Sequence, residues 1–379
     1  MPRRQTFITE LLRAATQGDN APLRPRLTTQ QVGRLCGLGL GPLAWHLHEQ
    51  HVVDIPDDSQ DLLQGADLTS RVLFARTSRA AGALLAELRR NEIDTVLLKG
   101  ISVAGEYYDP PWCRIMGDVD ILVDERDLEM ADKVVRSLGY VADENEALDL
   151  PHHHLPAVRH PETGVIIELH AALFPPGAAP AAQSLFMAGT WKQHLIRSAL
   201  EGNETWRLTP EYQFAYITAH WATDRKWPVN VLAVLDLALI AGNRESFDWP
   251  ALERWLEKDT WLAGCLTVLL AFLMETALCR LPGHVRETLD SNVRRLGQRN
   301  VRFMLRLIQS VPMQGQCGRL RFLDERRGRM LWRHMLTPGP TFLARNRSIA
   351  RLIATEAERS LQNVKRLLRR SATTLRASL

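Results

Sequence analysis

The sequence has few cysteines and no secretory leader pattern. Its 379 residues contain five cysteines, which are odd in number, widely scattered and without a CxxC pair. This usage argues against a disulfide framework and against a cysteine-based zinc site, and it fits a reducing compartment. No uninterrupted apolar segment follows the N-terminus, so a signal peptide is not expected. We therefore predict a cytoplasmic protein.

Long apolar runs and a strong excess of charge of one sign are also missing. The longest apolar stretch, residues 261–274, ends at Glu275. It is shorter than the roughly 20 residues that a membrane span needs, so we predict a buried core helix there and no membrane span. The 47 Lys and Arg against 43 Asp and Glu give a net charge of +4, too small to indicate a nucleic-acid-binding protein by itself. Length and composition predict a soluble globular protein of two or three domains.

The periodicity of apolar residues changes along the chain and predicts four regions. Residues 1–65 have helical patterns around a loop rich in Pro, Arg and Gly, and we interpret them as a helical N-terminal segment. Residues 66–200 begin with a helical pattern and continue with short strands that alternate with a helix, which is typical of an α/β or α+β catalytic domain. Residues 201–318 are predicted to be helical. Residues 319–379 are predicted to form a basic helical C-terminal region.

Two aspartates lie at the start of a predicted strand over residues 119–123. Side chains on a strand alternate between its faces, so Asp118 and Asp120 project together while Val119 and Ile121 face an apolar layer. Two carboxylates this close repel each other unless a cation lies between them, and Mg²⁺ takes oxygen ligands from one or two carboxylates. The pair predicts a metal site. An acidic strand end exposed to water is the alternative.

A second predicted strand, residues 165–170, carries ionisable side chains. Alternation places Glu168 and His170 on one face and Ile167 and Leu169 on the other. Ionisable groups rarely enter a core unpaired, so Glu168 is a candidate third acid, either as a metal ligand or as the base for an incoming hydroxyl. His170 is a candidate substrate contact, and a histidine hydrogen-bonded in the core is the alternative.

A glycine turn follows the predicted strand over residues 95–98. Gly100 allows backbone N–H groups to approach an anion, and the N-terminus of the following helix favours phosphate oxygens. Lys99 and Ser102 are candidates for further contacts with a triphosphate. The alternative is an ordinary strand-to-helix turn that contains a glycine.

Three consecutive histidines, residues 152–154, precede His160. No cysteine lies near them and their spacing fits no zinc motif, although His152 and His154 could converge on an ion. We interpret the segment as a loop or hairpin edge over the active-site cleft, with His154 as a candidate substrate contact. His220 and Asp236, farther along the chain, are interpreted as a hydrogen-bonded pair between two helices.

Five segments occur in an order that is more specific than any one of them: Val96–Gly100, Tyr107–Pro110, Arg114–Val123, Gly139–Tyr140 and Ile167–His170. The series resembles an uncharacterised bacterial nucleotidyltransferase family of the DNA-polymerase-β-like superfamily. The resemblance covers about residues 70–240. It implies a mixed sheet flanked by helices. Together with the helical patterns on either side, we predict an α+β fold with an N-terminal helical cap and a helical C-terminal region.

The resemblance also implies roles for individual residues. The acids that hold Mg²⁺ (or Mn²⁺) would be Asp118, Asp120 and Glu168, and the phosphate site would be lined by Lys99, Gly100 and Ser102. Arg114 either contacts the phosphates through its guanidinium or pairs structurally with Asp118 or Asp109. The chain departs from the superfamily at the turn, because Ile101 follows Gly100 and the serine comes one place later.

The predicted reaction is Mg²⁺-dependent transfer of a nucleoside monophosphate from a nucleoside triphosphate to an acceptor hydroxyl or phosphate, on a peptide or a sugar-linked molecule. Phosphoryl transfer, as in a kinase, is one alternative because the metal site does not dictate which phosphorus is attacked. A non-catalytic nucleotide- or partner-binding protein is another. The arginines beyond residue 318 would suit an anionic acceptor such as RNA, acidic peptide or lipid headgroup, or form a solvated helix face. Few aromatics interleave with them, which argues against base stacking.

Overall fold

A computed structural model describes residues 6–17, 24–142, 153–176, 178, 180–223, 231–242, 246–258 and 260–310. The arginine-rich region from residue 319 onward and His152 lie outside the described residues. The helices of the described part are α1 (Phe7–Gln17), α2 (Thr29–Gly37), α3 (Gly41–Glu49), α4 (Gln60–Arg90), α5 (Lys99–Tyr107), α6 (Leu128–Ser137), α7 (Pro210–Thr223), α8 (Val231–Gly242), α9 (Trp249–Leu256), α10 (Trp261–Glu275), α11 (Gly283–Leu296) and α12 (Gln298–Ser310). The strands are β1 (Val96–Leu97), β2 (Val119–Leu122), β3 (Val141–Ala142), β4 (Val158–Arg159), β5 (Ile166–His170), β6 (Leu195–Leu200) and β7 (Asn203–Leu208).

The seven strands form one mixed sheet in the order β3-β4-β5-β2-β1-β7-β6. The two central strands, β5 and β2, run parallel, β2 and β1 run antiparallel, and β1 and β7 run parallel. Helices α1 to α3 precede the sheet region in the chain and α7 to α12 follow it. The predicted α+β fold, with a mixed sheet, an N-terminal helical cap and a helical C-terminal region, is confirmed.

The two faces of the central strands differ in chemistry, as their alternation predicts. Val119 and Ile121 of β2, with Ile167 and Leu169 of β5, are buried in an apolar cluster that includes residues of α4 and α6. Asp120 is paired in register with Glu168, and both point to the opposite face. Adjacent strands therefore bring the predicted acids side by side on that face.

The hairpin of β6 and β7 is absent from the sequence-based prediction, which placed only helices beyond residue 200. Its strands mix polar and apolar residues and are half exposed, so their alternation is weak. The turn between them is Glu201-Gly202, with both residues at positive φ (51° and 76°), as a two-residue hairpin requires. The sheet thus continues to Leu208, and the proposed division into domains stays a prediction.

Helix α10 is apolar on all sides, and it is buried from Trp261 to Leu273. This confirms the prediction of a core helix for that stretch. Within the described ranges, no helix combines the length and the apolar character that crossing a membrane requires.

Candidate functional site

The centre of the sheet carries a compact group of polar side chains. Potential ligand atoms of Asp120, Glu168 and His170 all lie within 4.8 Å of one another. His170 Nε2 lies 2.8 Å from Asp120 Oδ1 and 3.6 Å from Glu168 Oε2. The in-register parallel pairing of β2 with β5 produces this proximity, because Asp120 and Glu168 occupy neighbouring positions on one face.

Lys99 is the cation of this group. Its Nζ donates a hydrogen bond of 2.9 Å to Asp120 Oδ1. Its backbone has φ of 44°, in the left-handed region, and it is the first residue of α5. A non-glycine residue in this region costs about 1–3 kcal/mol, and such residues cluster at functional sites. The turn therefore holds the ammonium directly against the acid of the neighbouring strand.

The charges of this group stabilise one another. Burial alone would raise the pKa of Asp120, but the charge of Lys99 and the hydrogen bond from His170 outweigh it and lower that pKa. Burial opposes the charged forms of Lys99 and His170, yet their contacts with Asp120 and its surroundings raise the pKa of both. The imidazole of His170, 3.6 Å away, lowers the pKa of Glu168. Asp120 and Glu168 are therefore carboxylates at neutral pH.

Asp118 lies one residue before β2, and the nearby positive groups offset its burial and the repulsion of the other acids only in part. Burial, together with the negative charges of Asp120 and Glu168, raises its pKa to about 6 despite the opposing charges of Lys99 and His170. Its carboxylate therefore lies within the electrostatic reach of the other two acids. It is not in the group of ligand atoms that lie within 4.8 Å of one another, so its role as a metal ligand stays a prediction. An acid held in this way becomes fully ionised near neutral pH only at a cost, which a nearby cation would remove.

We expect Asp118→Asn to stabilise the metal-free protein in a pH-dependent way. The pKa of Asp118 is higher in the folded chain than in the unfolded chain, so its contribution to stability falls as pH rises from about 4 to about 6. The substitution should raise the free energy of unfolding by about 2 kcal/mol at pH 7.5, and by much less at pH 4. Urea denaturation in the presence of a chelator measures the change in the free energy of unfolding at both pH values. Glu125→Gln, at an exposed acid, is the control, and an equal gain at both pH values would contradict this account.

Two residues of the predicted phosphate turn have other contacts. A Cβ at Gly100 would lie 3.1 Å from Met116 Cγ, so this glycine permits close packing of that side chain. Ser102 is buried, and its Oγ donates a 3.3 Å hydrogen bond to Gln213 Oε1 of α7. Of the predicted phosphate contacts on this turn, Lys99 is the one whose side chain reaches the acids.

Arg114 pairs with an acid that the sequence analysis did not connect to it. Its Nε and Nη2 donate to the two oxygens of Asp236 at 2.8 and 2.9 Å, and Tyr108 Oη donates to the same carboxylate at 2.6 Å. The partner is therefore Asp236 of α8, whereas the predicted structural partners were Asp118 and Asp109. The two residues are 122 positions apart in the chain, so no local sequence pattern could have indicated the pair.

The histidine segment lies beside His170 of the central sheet. His154 forms an isolated antiparallel bridge with His170, and their ring centroids are 5.1 Å apart. The sequence analysis missed His153, whose ring lies 5.2 Å from that of His170. Burial and the neighbouring positive groups lower the pKa of His153 to about 3, so it is neutral. His170 itself is fully buried and contacts the acids.

Helix α7 supplies a further polar group that no sequence motif indicated. Tyr216 is fully buried, and its hydroxyl has no hydrogen-bond partner among the described residues. Burial raises its pKa, with Lys99, Asp120 and Glu168 close enough to contribute. Tyr216 is therefore a neutral hydroxyl facing the acids. Its position depends on how α7 packs on the sheet, which the sequence does not state.

The donor set fits a divalent ion. Both described hydrogen bonds to Asp120, from Lys99 and His170, use Oδ1, and none in the described part of the chain uses Oδ2. Carboxylate oxygens are the ligands that Mg²⁺ and Mn²⁺ take in proteins. The site therefore offers Asp120 Oδ2 and the carboxylate of Glu168 for an ion, with Asp118 close by.

Comparisons with known proteins found one family model and a solved structure that are similar to this chain. Residues 38–272 match the family model described as "Uncharacterised nucleotidyltransferase". The crystal structure of an antigenic nucleotidyltransferase-like protein from Paracoccidioides brasiliensis is similar over 45% of this chain and 75% of that chain, with 18% sequence identity and a TM-score of 0.30. No curated protein matches the sequence. The match to the family spans more than half of the chain and includes every strand of the sheet.

Proposed function

Because the chain belongs to the uncharacterised nucleotidyltransferase family, we propose that it transfers a nucleoside monophosphate from a nucleoside triphosphate to an acceptor hydroxyl or phosphate, and that the reaction depends on Mg²⁺ or Mn²⁺. The observation that carries this proposal is the meeting of Asp120 and Glu168 on adjacent strands with Asp118 in electrostatic reach. These three are the proposed acids of the metal site. An ion held by them supplies positive charge to the α-phosphate and the leaving pyrophosphate.

The remaining residues of the site would bind and orient the nucleotide. Lys99 is the proposed phosphate contact, since its ammonium already lies beside Asp120. Backbone N–H groups near Gly100, at the N-terminus of α5, would add to it. Ser102 and Arg114 would reach a phosphate only by giving up their contacts with Gln213 and Asp236, so we propose them as positioning residues of the turn and of the loop before β2.

Glu168 is the proposed base for the acceptor. Its side chain is 20% exposed, whereas that of Asp120 is 4% exposed, so an incoming hydroxyl can approach it more easily. In the reaction the acceptor oxygen forms a bond to the α-phosphorus, and the bond from that phosphorus to pyrophosphate breaks. The hydroxyl proton passes to the Glu168 carboxylate. His154, which lies above His170, is proposed to contact the acceptor.

Which phosphorus of the nucleotide is attacked can be tested before the acceptor is known, because water can slowly take the place of the acceptor. Attack on the α-phosphorus releases nucleoside monophosphate and pyrophosphate, whereas attack on the γ-phosphorus releases nucleoside diphosphate and phosphate. With ATP labelled at either position and Mg²⁺ or Mn²⁺ present, we expect AMP and pyrophosphate by thin-layer chromatography. Asp120→Asn, run in parallel, controls for contaminating enzymes.

The other outcomes identify the alternatives. ADP and phosphate as products, lost in the variant, would replace the proposal with phosphoryl transfer. No products from any of the four nucleoside triphosphates, together with nucleotide binding by calorimetry, would indicate a binding protein without this activity.

A further inference from the structure

One potential ligand of the proposed metal site is an imidazole nitrogen. His170 Nε2 lies within 4.8 Å of carboxylate oxygens from both Asp120 and Glu168, and the His170 side chain is 0% exposed. A fully buried imidazole cannot reach a bulky substrate without a rearrangement. Its Nε2 points into the space between the two acids, which is where an ion held by those acids would lie.

Ligand chemistry decides which ion such a set prefers. Mg²⁺ is a hard ion that takes oxygen ligands and binds imidazole reluctantly. First-row transition ions accept imidazole nitrogen, and their affinity for a nitrogen-containing site rises from Mn²⁺ to Co²⁺. Replacing one oxygen ligand by an imidazole therefore favours these ions over Mg²⁺.

We infer that His170 binds the ion directly through Nε2, and that the site therefore prefers a first-row transition-metal ion such as Mn²⁺ to Mg²⁺. This inference rests on the proposed metal-dependent function. The ligand set is Asp120, Glu168 and His170, with Asp118 and solvent or nucleotide oxygens completing the coordination. On ion binding His170 gives up its Nε2 hydrogen bond to Asp120 Oδ1. Lys99 keeps its own hydrogen bond to that oxygen, while the ion uses Oδ2 of the same carboxylate.

The surroundings of His170 support ligation by Nε2. A neutral imidazole that binds an ion through Nε2 must carry its hydrogen on Nδ1, and ligating histidines almost always donate that hydrogen to an acceptor. His170 Nδ1 is buried and has no partner among the described residues, and the same is true of His153 Nδ1. The two rings are 5.2 Å apart and inclined by 58°. The two nitrogens do not hydrogen-bond to each other in this arrangement. A rotation of one ring on ion binding would be needed to pair them, and we propose His153 as the positioning residue that then selects the required tautomer.

Pulsed electron paramagnetic resonance on the full chain loaded with Mn²⁺ tests the ligand itself. A directly bound imidazole produces ¹⁴N modulation of the Mn²⁺ signal, which we expect in the wild type. His170→Gln should abolish the modulation. His160→Gln, at a histidine whose ring meets that of Tyr140 edge to face and which is not in the group of ligand atoms, should retain it. The wild-type spectrum alone is decisive, so the test does not depend on how well a variant folds.

Titration calorimetry measures how strongly the site prefers one divalent ion to another. We expect the wild type to bind Co²⁺ more tightly than Mn²⁺, and Mn²⁺ at least about tenfold more tightly than Mg²⁺. His170→Gln should reduce the ratio of Mn²⁺ to Mg²⁺ affinity to within about threefold of unity. His153→Leu should weaken Mn²⁺ binding by about tenfold, as loss of an outer hydrogen-bond partner does, and should keep the ¹⁴N modulation.

The outcomes separate this inference from the proposed function. Tight Mn²⁺ binding without ¹⁴N modulation, or an unchanged affinity ratio in His170→Gln, would overturn nitrogen ligation and leave the carboxylate site intact. No binding of Mn²⁺, Co²⁺ or Mg²⁺, with or without ATP, would overturn the metal-dependent function as well.

Discussion

Asp120→Asn should lower nucleotidyl transfer by at least about a thousandfold, which corresponds to about 4 kcal/mol of transition-state stabilisation. Asp120 is the acid that the other groups of the site contact, since Lys99 and His170 both bond to its Oδ1. An amide oxygen can accept these hydrogen bonds but lacks the negative charge that binds an ion. Steady-state measurement of pyrophosphate release, with the divalent ion and ATP both saturating for the wild type, gives the effect.

A matched control is available two residues beyond β2. Asp124 is half-buried and bonds to Lys192 outside the site, so Asp124→Asn removes a charge from the same segment without touching the acids. It should retain wild-type activity within about twofold. Thermal unfolding of both variants shows whether the chain remains folded. An Asp120→Asn variant that folds and keeps a tenth or more of the activity would remove this residue from the metal site.

Arg114→Met should destabilise the fold by about 3–5 kcal/mol. The side chains of Arg114 and Asp236 are 13% and 3% exposed, and they form a two-point ion pair between the loop before β2 and helix α8. Removing the guanidinium leaves a buried carboxylate whose one remaining hydrogen-bond donor among the described residues is Tyr108. Urea denaturation gives the change in the free energy of unfolding. Because no nucleotide is present, a contact of Arg114 with phosphates does not contribute to the result.

Two further variants distinguish the ion pair from ordinary packing. Arg114→Met combined with Asp236→Leu removes both charges and should recover part of the loss, because the uncompensated carboxylate disappears. Tyr108→Phe should cost about 1 kcal/mol, the usual value for one hydrogen bond. If Arg114→Met alone costs under about 1 kcal/mol, the ion pair does not hold the loop to α8.

The sheet was predictable where one of its faces is apolar. The alternation in β2 and β5 identified both strands and the face of each acid, because burial on one side leaves a strong period of two. The hairpin of β6 and β7 was missed because its half-exposed strands alternate weakly and its turn uses Glu201 at positive φ, where Asn, Asp or Gly is the usual signal.

The site was predictable only as far as neighbouring strands determine it. Alternation places Asp120 and Glu168 each on the polar face of its strand, and the pairing of β2 with β5 brings them side by side. The roles of Asp118, Asp120 and Glu168 in the site stay predictions. The pairing of Arg114 with Asp236, the position of Tyr216 and the contact of His153 with His170 arise from packing between separate segments of the chain. No local pattern in a single sequence indicates such contacts, so they could be found only in the three-dimensional structure.

The most direct test is anomalous scattering from crystals that contain Mn²⁺ and a non-hydrolysable nucleoside triphosphate. We expect an anomalous peak at bonding distance, about 2.2 Å, from carboxylate oxygens of Asp120 and Glu168, with the triphosphate on the Lys99 side of the ion. Nucleotide bound without a peak at these two acids, or a peak whose nearest protein ligands lie elsewhere, would contradict the proposed reaction centre.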